Sequence, residues 1–413
     1  MPSLSKQVFN SATHQAQANH TYCHGRIPLR LIAGPYLLAV AEAALRPLEV
    51  EVTDFGYGPA HAAIVMLEDR IGGFEPTVWS SGNALELIRE SLPGIRTREY
   101  NSLRSGSFKE FARSTRPGSP ILTMSRAFAG QASAAGRWVC LLDQLDWMWG
   151  PHDPPLPSVD LHLVPLWVRD ARRGSSDAVS VAPLLSGSFR PVSPRPNVGP
   201  AIVGFGGMSM MADVSAADFY ASWVLQSVLP ELMCHPRVTE VLVVGGSPNL
   251  ESFVADICAD HPLVSTYRAV PPDAYGEMLR SSAHQILSPG LATLIESEAM
   301  EIAPLLQPGV NKSMLLQLQS AITRGYEWAA PWSFHAEACE VLRREPQDKS
   351  LAWLDQRLAD AIRQDGTQNW LTQAVRDYLN RPRAVSPLRL GIAEVAPSAA
   401  AVLREALIDR GPH

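Results

Sequence analysis

The chain has 413 residues and a formal net charge of −6, which is too long for one ordinary core and fits two domains of about 200 residues each. The slightly acidic balance excludes a general electrostatic attraction for nucleic acid or for an anionic membrane, so any phosphate must be held locally. Five cysteines, Cys23, Cys140, Cys234, Cys258 and Cys339, are scattered without metal-ligand spacing and are odd in number, which points to a reduced cytoplasmic protein rather than a secreted one.

Residues 1–47 read as an N-terminal extension. Met1 to His20 is polar, and Ile32 to Leu45 is an apolar run behind Arg26 and Arg30. The run is broken by Pro35 and Glu42, is closed by Arg46 and is too short to span a bilayer. It therefore reads as a helix leading into the first strand, not as a signal peptide or membrane span.

Residues 48–190 alternate strand and helix. Leu48 to Thr53 alternates as a strand and ends at the turn Asp54-Phe55-Gly56-Tyr57-Gly58-Pro59-Ala60-His61, and Ala62 to Arg70 has helical spacing. Gly56 and Gly58 permit a tight bend, and His61 near the helix start faces the cleft at the carboxyl end of the sheet. A histidine there is equally a cap or packing residue. Thr77 to Ser81 is a second strand and Ala84 to Glu90 a helix; Pro120 to Met124 and Trp138 to Leu142 are later strands. Such alternation implies a parallel, doubly wound sheet. The last of these strands runs into Asp143-Gln144-Leu145-Asp146-Trp147-Met148-Trp149-Gly150. Aromatic faces there stack on rings while Asp143 and Asp146 take hydroxyl or amine protons; the alternative is an aromatic plug with solvated acids.

Gly187 to Pro200 concentrates Pro, Gly and Ser and reads as the interdomain linker. In the second domain, residues 191–325, Ala201 to Phe205 opens a new sheet and Gly206-Gly207-Met208-Ser209 forms a turn suited to covering a diphosphate. Asp218 to Leu229, Leu250 to Ala259 and Asp273 to Arg280 read as helices, with Val238 to Val244 and Ser265 to Val270 as strands. Then comes the most informative stretch. Gln285 to Leu287 is a short strand, Ser288-Pro289-Gly290 a turn, Leu291 to Met300 a helix and Ile302 to Leu306 the next strand. Gly290 lets a ligand approach the backbone, and the helix start presents unpaired N–H groups suited to a phosphate. Thr293 and Glu296 share one face of that helix, which sets Glu296 where a carboxylate accepts from both hydroxyls of a ribose. A glutamate in a helix is otherwise an ordinary surface residue. Residues 326–413 read as helices, Ser350 to Gln364, Asn369 to Leu379 and Ser398 to Asp409, anchored by Trp328, Trp332, Trp353 and Trp370.

The string Ser288-Pro289-Gly290, Thr293, Glu296, Pro304, Asn311 and Gln317 resembles the donor half of two-Rossmann-domain (GT-B) glycosyltransferases. It is similar to the lipid II N-acetylglucosaminyltransferase and antibiotic glycosyltransferases and, more loosely and with the run at Asp143, to the cytosylglucuronate synthase group. The resemblance covers roughly Val50 to Gln319 and is specific only around Gly290. It implies that Ser288 and Gly290 lie near the diphosphate, that Glu296 holds the ribose, that backbone at Val270 holds the nucleobase, and that Asn311 or Gln317 reads the sugar. Those families carry an acidic residue in the last loop where this chain has Asn311-Lys312-Ser313, and the basic Lys312 would suit a uronic acid. It further implies an acceptor loop at Gly58, with His61 and Asp54, besides Asp143 and Asp146, as candidates for the base, and Trp147 and Trp149 as acceptor contacts.

The expected fold is thus α/β, two doubly wound Rossmann-like domains facing a cleft, with C-terminal helices that cross back onto the first domain or serve a homodimer. The expected activity is inverting transfer of a sugar, glucuronic acid among the candidates, from a UDP-sugar to a small acceptor such as a nucleobase or natural product. No cofactor beyond the UDP-sugar co-substrate is expected, and no metal, since neither an Asp-x-Asp motif nor a His/Cys cluster is present. Neither nucleic acid nor a membrane is an expected partner. The rival readings are a nucleotide-sugar 2-epimerase or hydrolase on the same fold and a non-catalytic nucleotide-sugar-binding subunit.

Overall fold

The structure, a computed structural model of the chain, describes residues 45–68, 71–102, 104, 106–149, 153, 155–166, 177–191, 196–206, 214–245, 249–258, 262–363, 366–381, 387–389, 391 and 396–410. The expected N-terminal helix up to residue 44, and Gly207, Met208 and Ser209 of the glycine turn, lie outside the described residues.

The first domain alternates β1 (Arg46–Glu51), α1 (Tyr57–Glu68), β2 (Phe74–Ser80), α2 (Gly82–Ser91), β3 (Arg96–Glu99), α3 (Ser107–Ser114), β4 (Ile121–Thr123), α4 (Arg126–Ala134) and β5 (Val139–Leu142), followed by β6 (Leu161–Pro165) and β7 (Val179–Val181). All seven strands are parallel, in the order β3-β2-β1-β4-β5-β6-β7. The second domain follows with β8 (Gly199–Phe205), α5 (Val214–Cys234), β9 (Val238–Gly245), α6 (Leu250–Cys258), β10 (Val264–Tyr267), α7 (Pro272–Ser281), β11 (His284–Leu287), α8 (Leu291–Ala299), β12 (Leu305–Leu306) and α9 (Lys312–Thr323). Its five strands are also parallel, ordered β10-β9-β8-β11-β12. In both sheets the chain winds outward in one direction and then returns to wind in the other, so strand order reverses beside β1 in the first and beside β8 in the second. Ligands gather at such reversals, outside the carboxyl ends of the strands. Two doubly wound parallel sheets are what the alternation of strand and helix implied.

Packing explains where local patterning misled. Leu48, Val50 and Val52 are fully buried, as the alternation in β1 requires, but Glu49 and Glu51 on the opposite face are buried too. A central strand is covered on both sides, so these acids need partners: Glu49 accepts from the Trp79 indole N–H at 2.7 Å, and Glu51 accepts from Thr53 and Thr123. The turn after β1 is shorter than expected. Gly56, at φ 84°, makes it, and α1 already begins at Tyr57, with Pro59 in the first turn where its missing N–H costs nothing. In α5 the helix runs through Pro230, beyond the expected end at Leu229. The lost bond to the Gln226 carbonyl is offset by burial of Leu229 and Leu232. The strand expected over Ile302 to Leu306 pairs only at Leu305–Leu306.

Helices α10 (His335–Arg344), α11 (Gln347–Arg363) and α12 (Gly366–Leu379) pack on the second domain. There Trp223 stacks on Trp332 with centroids 4.9 Å apart, and Trp370 meets both rings. Helix α13 (Ala399–Asp409) instead returns to the first domain, placing Leu403 and Leu407 in the same core as Leu48, Val50 and Leu142. Among the described residues, no helix is long and apolar enough to cross a membrane.

Candidate functional site

A cleft of about 480 Å³ lies between the carboxyl ends of the two sheets and is lined from both domains. On the second domain, β11 leads into Ser288-Pro289-Gly290 and then α8. Gly290 takes the N-cap position in extended conformation and no side chain caps the helix, so the N–H groups of the first turn, at Leu291, Ala292 and Thr293, are left for a ligand in the cleft that these residues line. The start of α9 differs, because there Asn311 accepts from the Met314 N–H at 2.9 Å. The Ser288 hydroxyl accepts from the Gly206 N–H at 2.7 Å, which ties the loop after β8 to the loop after β11. At Gly245, φ 79°, a Cβ would lie 2.1 Å from the Phe205 carbonyl oxygen, so only glycine permits this close passage of β9 by β8.

Glu296 lies farther along α8, lines the cleft and is only 4% exposed. Burial pushes its carboxyl up to about 8. Facing it from α1 of the other domain is His61, 6% exposed, with Nε2 3.7 Å from Glu296 Oε1. Burial pushes His61 down to about 4, and its Nε2 makes no hydrogen bond among the described residues. Tyr275 of α7 completes this part of the wall; its phenol is driven upward by burial and by the neighbouring Glu296. Tyr57 reaches across the cleft and its hydroxyl donates to the Arg268 carbonyl at 3.0 Å, close to Val270, which lines the same slot.

At the other end of the cleft, the loop after β5 and the start of α4 form a charged knot. The Arg126 guanidinium donates to Asp143 and, at 2.7 Å, to Asp146, and lies 4.7 Å over the Trp149 ring. Trp149 in turn donates its indole N–H to Asp143 at 3.3 Å. Against the cost of burial, His162 and Arg126 hold the Asp143 carboxyl below the usual range, whereas burial and the Asp143 charge push Asp146 up. Asp143, Asp146 and His162 come close enough to share a metal ion, a convergence the sequence did not show. The guanidinium of Arg126 already occupies both carboxylates. Lys312 joins the domains here, donating to both oxygens of Asp153 at 2.9 Å.

Of the residues nominated from sequence, Gly58, His61, Asp143, Trp149, Gly206, Val270, Ser288, Gly290, Thr293, Glu296 and Asn311 line this one cleft. Four do not. Asp54 accepts from the Ala84 N–H at 3.2 Å and so caps α2. Asp146 sits behind Arg126, Trp147 packs into the core of the second domain, and Gln317 is buried on α9 with its amide making no hydrogen bond among the described residues. Gly207 and Ser209 lie outside the described residues. Arg126, Tyr57 and Tyr275 were not nominated. Arg126 had a usable signal, since it follows directly on a strand of the doubly wound sheet, where ligand contacts concentrate.

No protein-family model matches the chain, and no curated protein sequence matches it. Solved structures of similar fold include MurG of Acinetobacter baumannii, at 13% identity over 88% of this chain and 99% of that one, with a TM-score of 0.43. Os79 of O. sativa in complex with UDP is similar at 12% identity over 88% of this chain and 100% of that one, TM-score 0.49. MnaA of S. aureus with UDP is similar at 8% identity over 81% and 92%, TM-score 0.45.

Proposed function

We propose that the chain is a nucleotide-sugar enzyme, a glycosyltransferase that holds a uridine diphosphate sugar on its second domain and a small acceptor on its first. One observation carries the reading. The uncapped start of α8 opens into the interdomain cleft, with the buried Glu296 behind it and the buried His61 of the opposite domain facing that carboxylate. The first turn of α8 receives the diphosphate, Glu296 accepts from the ribose hydroxyls, and the backbone around Val270 receives the base. Transfer is a direct displacement: the acceptor atom attacks the anomeric carbon as the bond to the diphosphate breaks, and the helix N–H groups stabilise the charge that leaves.

His61 takes the acceptor's proton. Asp54 is tied to the start of α2, and Asp143 is held ionised and bonded by Arg126, which leaves His61 as the basic group in the cleft with a free lone pair. A sugar carrying a carboxylate, such as glucuronic acid, would meet Lys312 by taking the place of Asp153. A second reading, epimerisation or hydrolysis of the nucleotide sugar, needs no small-molecule acceptor and would draw on Asp143, the acid of the Asp143 and Asp146 pair that lines the cleft.

Calorimetric titration tests the donor half: UDP should bind, and Glu296→Ala should weaken it by about 1.5–3 kcal/mol, the worth of charge-assisted hydrogen bonds. His61→Ala should lower transfer by about a hundredfold with UDP affinity retained. Equal affinity in Glu296→Ala would remove the carboxylate from the site. Turnover of UDP-glucose or UDP-glucuronic acid in the absence of any acceptor would move the assignment to the second reading.

A further inference from the structure

The carboxyl group assigned to the ribose is also a close titratable neighbour of the assigned base. His61 Nε2 and Glu296 Oε1 are 3.7 Å apart, on helices that start from different sheets, and both side chains are buried. The other ring against His61 is the apolar Phe189, edge-on with centroids 6.0 Å apart. We infer that Glu296 transmits donor occupancy to His61, so that a nucleotide whose ribose hydroxyls donate to Glu296 strengthens His61 as a base before an acceptor reacts. The inference deepens the reading given above and rests on it.

The physical chain is short. Burial holds both groups neutral near pH 7, Glu296 protonated and His61 unprotonated. An imidazole held near 4 is a weak base for work at neutral pH. A carboxyl group that accepts two hydroxyl hydrogen bonds favours its ionised form, so ribose binding releases the Glu296 proton to solvent while the hydroxyl hydrogens remain on the sugar. An ionised carboxylate beside a buried imidazole stabilises the imidazolium and raises the proton affinity of Nε2. In the transfer step the acceptor's proton then goes to Nε2, its lone pair forms the bond to the anomeric carbon, and the breaking bond's electron pair leaves on the diphosphate. The other titratable or charged groups lining the cleft are Tyr57, Arg268 and Tyr275 nearby and Arg126, Asp143 and Lys312 at the far end. The last three are committed to ion pairs that do not involve the ribose. Glu296 is thus a positioning residue for His61 as well as a donor contact.

The test is a pH titration of the full-length protein labelled at histidine carbon Cε1, with the His61 resonance assigned by its loss in His61→Asn. Saturating UDP should raise the His61 pKa by about one unit or more, a tenfold gain in proton affinity. In Glu296→Gln, saturated as judged by calorimetry, the rise should be absent, and Glu296→Asp should restore part of it. The probe 2′,3′-dideoxyuridine diphosphate, which keeps the phosphates and lacks the hydroxyls, should bind without the rise. An equal rise in Glu296→Gln or with the dideoxy nucleotide would assign the effect to the diphosphate charge and overturn the inference while leaving the nucleotide site intact. No rise in the wild type would overturn it as well. Absence of UDP binding by calorimetry would sink the nucleotide-sugar reading itself, and the inference with it.

Discussion

Between pH 6.5 and about 8 the folded protein keeps a proton on Glu296 that the unfolded chain has already released, because burial lifts this carboxyl from 4.5 to about 8. The folded state binds more protons there, so stability falls as pH rises through that window. His61 works in the opposite sense lower down: its folded value near 4 lies below the unfolded 6.5, and its contribution to stability grows as pH rises between those values. Above pH 6.5 the decline belongs to Glu296 of the two. Denaturant midpoints measured at pH 6.5, 7.25 and 8 should therefore fall in the wild type and stay level in Glu296→Gln; parallel slopes in both proteins would contradict the buried carboxyl. At this scale the sequence brought out residues next to a turn that line the cleft, as Gly290, Thr293 and Glu296 do. It was silent on the meeting of His61 with Glu296, since no spacing rule relates positions on helices of different sheets.

Single elements show what spatial neighbours add to local pattern. Asp54 was a candidate for the base because the resemblance implies an acceptor loop after β1, yet the carboxylate turns sideways to the start of α2, where Gly82 takes φ 52° and a Cβ would lie 2.0 Å from Asp54 Oδ2. The helix it serves begins almost thirty residues later, so the cap has no signature in a short window. Asp54→Ala should cost about 1 kcal/mol, the usual worth of an N-cap, read as a lowered denaturant midpoint, with transfer activity falling far less than in His61→Ala. A loss of activity as large as that of His61→Ala at unchanged stability would return Asp54 to the catalytic group. The edge strand β3, Arg-Thr-Arg-Glu with three of four residues exposed, was not legible for the reverse reason: it has no apolar face, and only the backbone of β2 makes it a strand. The buried elements β5, β8 and β9 were legible because both faces of a parallel sheet are covered and the runs are almost wholly apolar.

Across the whole molecule, alternation of strand and helix was sufficient to indicate two parallel sheets, while the way the halves are tied had to come from the structure. Arg268 of the second domain bonds Asn83 and Glu86 of the first, and Lys312 bonds Asp153. These ties are polar and reversible; α13 is an apolar one, as is Trp147 in the core of the second domain. Leu403 is fully buried against the first domain, so Leu403→Ala should cost about 2–5 kcal/mol. Chemical denaturation followed at Trp79, in the first domain, would register that loss, and a change below 1 kcal/mol would mean that α13 is not seated there. Among the described residues, the chain passes between the domains twice. On the first passage Leu184 still belongs to the first core and Phe189 already to the second. On the return Leu388 bonds the Ile302 carbonyl in the second domain, whereas the Pro397 carbonyl accepts from Ala182 beside β7. The two passages are therefore joined side by side at Ala182 and Pro397. That seam fastens the start of α13 to the edge of the first sheet, the same sheet whose α1 holds His61 3.7 Å from Glu296 on α8.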